Sequence, residues 1–94
     1  MPNVWVSSID GDLLRASEIR QITISDGLHA VLVGGSQFVL AETGGPQVSG
    51  PIAQHLVAAI GAAEAHGDAS VVQVLREGDE WRVHTEQFQP VPGS

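Results

Sequence analysis

Apolar and polar residues alternate along most of this chain with the two-residue period of strands. In residues 3–9, Val4 and Val6 fall on one face and Trp5 and Ile9 on the other, which predicts a first strand. Asp10-Gly11-Asp12 ends it with an Asp-Gly hairpin signal, and Leu13 to Ala16 predicts a short return strand before a brief turn at Ser17 and Glu18. Ile19, Ile22 and Ile24 lead into a third strand closed by Asp26-Gly27. His29 to Val33 and, after the Gly34-Gly35 turn, Gln37 to Ala41 complete a meander.

The period then changes. Thr43 to Gly50 reads as a loop because Gly44, Gly45, Pro46, Ser49 and Gly50 break any repeat. From 51 to 66, Ile52, Leu56, Ala59, Ile60 and Ala63 share one helical face. Ser49 or Gly50 is placed to cap this helix, Pro51 suits its first position and Gly67 its end. The six alanines between Ala53 and Ala65 keep the helix slim and suit close packing on a sheet. Ser70 to Arg76 and Glu80 to Phe88 predict a final hairpin around Glu77-Gly78-Asp79, and residues 89–94 read as a Pro-containing tail. The expected fold is α+β: an antiparallel meander and hairpin sheet of about six to seven strands carrying one helix, in a single domain over residues 1–88.

Several strands are apolar on both faces, against the clean alternation of a sheet with one wet side. Val31 and Val33 oppose Ala30 and Leu32, Phe38 and Leu40 oppose Val39 and Ala41, and Val71 and Leu75 oppose Val72 and Val74. One helix about 10 Å wide covers roughly two strands spaced ~4.8 Å apart, so it cannot shield so broad a sheet. The surplus implies either a sheet curled into a partial barrel or a face covered by a second copy or another protein.

Composition narrows the function. There is no cysteine, which excludes disulfides, thiolate metal sites and cysteine nucleophiles. The net charge is −7, with four arginines and no lysine. Arg15, Arg20, Arg76 and Arg82 are scattered and form no basic stripe, so neither nucleic acid nor an anionic membrane is an expected partner. No secretory leader pattern and no run of ~20 apolar residues is present, which reads as a cytoplasmic protein. Abundant Ala, Gly and Val without lysine suit a bacterial, GC-rich source.

Simple antiparallel connections would gather Asp10, Asp12, Asp26, Glu42, Glu77, Asp79 and Glu80, seven of the eleven acids, at one end of the molecule. Such a pole attracts a basic segment or a divalent cation, although Asp at hairpin tips is also plain turn chemistry. Arg82, His84 and Glu86 alternate as a solvated strand face. His66 and Asp68 lack a third ligand close in sequence, His29 and His55 have no partner pattern, and no serine lies in a glycine-flanked elbow. Gly44-Gly45-Pro46 lacks the lysine and the spacing of a phosphate loop.

No catalytic, cofactor or metal residue is therefore assigned. The expectation is a small non-catalytic protein-binding or assembly module, partnered by another protein or by itself as a homodimer, using an apolar sheet face or a sheet edge. Its candidate contact residues are Trp5, Trp81, Asp10, Asp12, Asp26, Glu77, Asp79 and Glu80. Two alternatives stand beside it: an acidic decoy for another protein's nucleic-acid site, and a small metal-dependent or carboxylate enzyme.

Overall fold

The computed structural model describes residues 3–67 and 69–87; the tail at 89–94, Asp68 and the end of the last strand at Phe88 lie outside them. The chain has the α+β architecture read from its sequence, with seven strands, one helix and a closing hairpin. The strands are β1 (Val4–Ser7), β2 (Leu13–Arg15), β3 (Ile19–Ile24), β4 (Leu28–Leu32), β5 (Gln37–Ala41), β6 (Ser70–Glu77) and β7 (Glu80–Gln87), with helix α1 (Pro46–His66) between β5 and β6. A single 3-10 turn, Ala16–Glu18, joins β2 to β3 where the sequence places a brief turn.

The strands divide between two sheets instead of forming one. Sheet A has the order β2-β1-β6-β7 and sheet B the order β3-β4-β5. Within sheet A, β1 and β6 run parallel, with Val4 opposite Ser70 and Val6 opposite Val72. A parallel pair needs a long crossover, and here β2, the whole of sheet B and α1 supply it. The division answers the surplus of apolar faces. Leu28, Ala30 and Leu40 of sheet B meet Val4, Val6, Leu14 and Val72 of sheet A and Ile52, Ala53, Leu56 and Ala63 of α1 in one core. The two sheets are tied where the Ile9 amide donates to the Val39 carbonyl at 2.8 Å, an edge group of β5. Part of the surplus stays in water: Val33 is 66% exposed and Leu75 36%.

The helix begins at Pro46, five residues before the predicted start, with Gly45 as its N-cap. Pro46 costs nothing there because the first helical amides have no intrahelical acceptor. Ser49, expected as a cap, is instead completely buried inside the first turns. Its hydroxyl donates to the Gly44 carbonyl at 3.0 Å and accepts from the Thr43 hydroxyl, so it no longer competes with the helix for backbone groups. Pro51 then lies inside the helix and leaves the Gln47 carbonyl without its usual donor, a loss outweighed by burial of Ile52, Ala53 and Leu56 directly beyond it. The far end matches expectation: Gly67 adopts φ +80° and donates to the Ala63 carbonyl at 3.3 Å.

Leu56 is fully buried on the helix while its neighbour Val57 is 57% exposed. Leu56→Ala should therefore cost about 2–5 kcal/mol through lost burial and the cavity it leaves. Val57→Ala should stay within about 0.5 kcal/mol, since little contact is lost and alanine is the better helix former. Urea unfolding of the two variants followed by circular dichroism measures both.

Candidate functional site

The parallel pairing of β1 and β6 fixes which loops meet. The loop after β1, holding Asp10 and Asp12, and the β6–β7 turn, holding Glu77, Asp79 and Glu80, leave sheet A at the same end. The β1–β2 loop is closed by the Ser8 amide donating to the Asp12 carbonyl at 2.8 Å and by Gly11 at φ +91°, so both of its aspartates point into water. Asp26 comes to this end through the backbone: its carbonyl accepts from the Gly44 amide at 2.9 Å, and Gly27 packs against the Ala41 carbonyl. An open groove of about 490 Å³ runs between these segments, lined by Ile9, Gly11, Glu42, Leu75, Arg76 and Trp81 among others. The two acidic loops of sheet A thus share one end, with Glu42 at the groove beside them, and all seven of the acids expected to gather here are exposed.

Arginine offsets part of that charge. Arg82 Nε lies 3.3 Å from Glu77 and its Nη2 3.6 Å from Glu80, all three side chains being well exposed. Such pairs in water hold little energy but lower the local negative potential. Arg76 stacks 5.8 Å from the Trp81 ring centroid and donates from Nε to the Gly78 carbonyl at 3.0 Å. Arg15 stacks 5.1 Å from the Trp5 centroid. Three of the four arginines are therefore occupied locally.

The two tryptophans do not form one hot spot. Trp5 sits opposite Val71 and Arg15 on the outer face of sheet A, half-buried, with its Nε1–H donating to the Asn3 side chain at 2.8 Å. Trp81 sits opposite Arg76 on the other face and packs against the core. Arg82, His84 and Glu86 form the exposed strand face that their alternation predicts.

No group of three His, Asp or Glu side chains able to hold a metal exists among the described residues, and none of their buried side-chain polar atoms lacks a partner. The partner considered for His66, Asp68, lies outside the described residues. Among the described residues, the side chains that are both polar and buried are Ser8, Thr43, Ser49 and Ser70, and the hydroxyls of Thr43 and Ser49 hold the start of α1.

Of two further features, the first escaped the sequence reading and the second was expected there only as an unspecified sheet edge. The first is a groove of about 440 Å³ between β3 and α1, lined by Ile19, Ile22, Val57 and Ile60 with Arg20 and Glu64 also lining it. The second is the outer edge of sheet A, where β7 has no further strand beside it among the described residues. The two-residue turn Gly78-Asp79, with φ +62° at Gly78, makes Glu77 and Glu80 a mutually bonded pair. Counting along the antiparallel ladder, the backbone groups of Arg82, His84 and Glu86 then face β6, while those of Trp81, Val83, Thr85 and Gln87 face outward. The Ser70 amide, donating to the Asn3 carbonyl at 3.0 Å on the β1 side, fixes the same parity from the other strand. Beside this edge runs a groove of about 650 Å³ between Thr85 and Gln87 of β7 and Ala59, Ala62, Ala63 and His66 of α1. The eight-residue strands of the last hairpin were the available signal for an open edge.

No protein-family model, curated protein or solved structure matches this chain.

The acidic end is held together by the close approach of the β3–β4 turn to the end of β5, where a Cβ on Gly27 would collide with the Ala41 backbone. Gly27→Ala should lower stability by roughly 1–3 kcal/mol, as overpacking does. Gly34→Ala, with open space around it and no positive φ, should stay within about 0.5 kcal/mol. Paired thermal melts of the two variants test the contrast.

Proposed function

We propose that this chain is a non-catalytic assembly module that works by strand addition, with β7 as the strand that receives an extended partner segment. The observation that carries the reading is the outer edge of β7, which pairs with no further strand among the described residues; β7 is, with β6, the longest strand and the last in its sheet. Four residues there, Trp81, Val83, Thr85 and Gln87, turn backbone donors and acceptors away from β6. In strand addition, affinity comes from just such main-chain groups, and pockets for alternate side chains add selectivity. The flanking groove against the alanine side of α1 supplies the room that an added strand needs.

The remaining features agree with this reading. The carboxylates at this end are all exposed to solvent at turns and strand ends. A free edge of this length is a feature that folds usually cover or shorten. The opposite edge of the same sheet, β2, is only three residues long.

Amide hydrogen exchange followed by NMR tests the reading. In dilute protein, the amides of Val83 and Thr85 should exchange far faster than those of Arg82, His84 and Glu86, and raising the protein concentration or adding a cognate strand should protect them. Slow exchange at Val83 and Thr85 at limiting dilution would mean the edge is closed within one chain, and the reading would fall.

A further inference from the structure

We propose that the segment received by β7 is β7 of a second copy, paired antiparallel about a two-fold axis through His84. This rests on the strand-addition reading and names its partner. The argument is the order of charges along the edge. Arg82, His84 and Glu86 project from the same face of β7, two residues apart and all exposed. An antiparallel pair centred on His84 sets Arg82 opposite Glu86 of the second copy and Glu86 opposite its Arg82, forming two cross-strand pairs of opposite charge. On the other face, Val83 meets Thr85 and Trp81 meets Gln87, each pair on both sides of the axis. Those are the residues whose backbone groups point outward, so this register makes them mutually bonded pairs and satisfies the edge along its length.

The neighbouring registers lose this match. A centre on Val83 sets Glu80 against Glu86, a centre on Arg82 sets arginine against arginine, and a centre on Glu86 sets glutamate against glutamate. A centre on Thr85 sets Arg82 against position 88, a phenylalanine in the sequence, and so loses the Arg82–Glu86 pair. Within one chain, Glu86 has no ion-pair partner among the described residues, whereas Arg82 already reaches Glu77 and Glu80. The favoured register therefore supplies Glu86 with a cation and leaves the tip acids close to theirs. The product is a continuous eight-stranded sheet, β2-β1-β6-β7 joined to its own copy, with the two helices on one face.

Charge exchange tests the register with the intact chain. Sedimentation equilibrium over a concentration series is run on the wild type, Arg82→Glu, Glu86→Arg and the double variant, with circular dichroism melts to confirm that each monomer folds. Each single variant faces like charges twice per dimer and should weaken dimerisation by about tenfold or more, while the double variant should recover to within about threefold of wild type. Thr85→Pro is the second arm. It deletes an outward amide and leaves the β6–β7 ladder whole, so the dimer should disappear while the melt changes little.

A wild-type dimer indifferent to the single exchanges, or a double variant weaker than both singles, would overturn the register. The exchange rates of the Val83 and Thr85 amides would then show whether the edge itself is used. A wild-type monomer throughout, with those amides still fast, would overturn the second copy as the occupant and leave the open edge standing.

Discussion

Two parallel strands of unequal length organise this molecule. β1 has four residues and β6 eight, and their register is fixed by Val4 and Val6 burying against the same core as Val72. Because the pair is parallel, the loop after β1 and the turn after β6 leave at one end, which is why the acids of both collect there. Because β6 is the longer strand, the β6–β7 hairpin runs on past the end of β1, carrying Leu75, Arg76 and Trp81 beyond the body of the sheet to form one wall of the groove at that end. As the last strand in the order of sheet A, β7 pairs on one side only among the described residues.

The helix makes that pairing permanent. Its buried stripe, Ile52, Ala53, Leu56 and Ala63, packs into one core with residues of both sheets. The hydroxyls of Thr43 and Ser49 anchor its first turn in a dry site, where an unpaired hydroxyl is costly and a paired one fixes geometry. Anchoring at Ser49 also holds the segment from Glu42 to Gly45, whose Gly44 amide bonds to Asp26. A packing decision in the helix is in this way transmitted to the acidic end.

Strand positions, turn residues, the helix stripe and the Gly67 cap were all legible, because each rests on local chemistry: two-residue alternation, Asp-Gly pairs, a 3.6-residue stripe and a left-handed glycine. What was not legible was set by contacts distant in sequence. Pro46 to Gly50 read as a loop, since Ser49 favours a cap until a buried Thr43 hydroxyl occupies it. The excess of apolar faces pointed correctly to something beyond one sheet and one helix, but only tertiary contact decides that the chain splits into two sheets. For the site, strand direction was enough to expect the acids of the β1 and β6 loops at one end. The tryptophans were named for their chemistry, yet pairing parity sends Trp5 and Trp81 to opposite faces, and no pattern in the sequence reveals that parity without the register.

An open edge of this length is normally a hazard, and charged side chains are the usual defence. The charges on β7 differ from a generic guard in their order. A row of like charges repels every incoming strand, itself included, in all registers. Arg82 and Glu86 have opposite signs and stand at equal distances from His84, so antiparallel self-pairing meets like charges in some shifted registers and complementary charges when centred. One pair of side chains thereby acts against misregistered association and for a single symmetric one, which is how an edge selects a partner instead of merely tolerating any. The balance depends on both residues together, since either charge alone on a two-fold edge would leave only a guard.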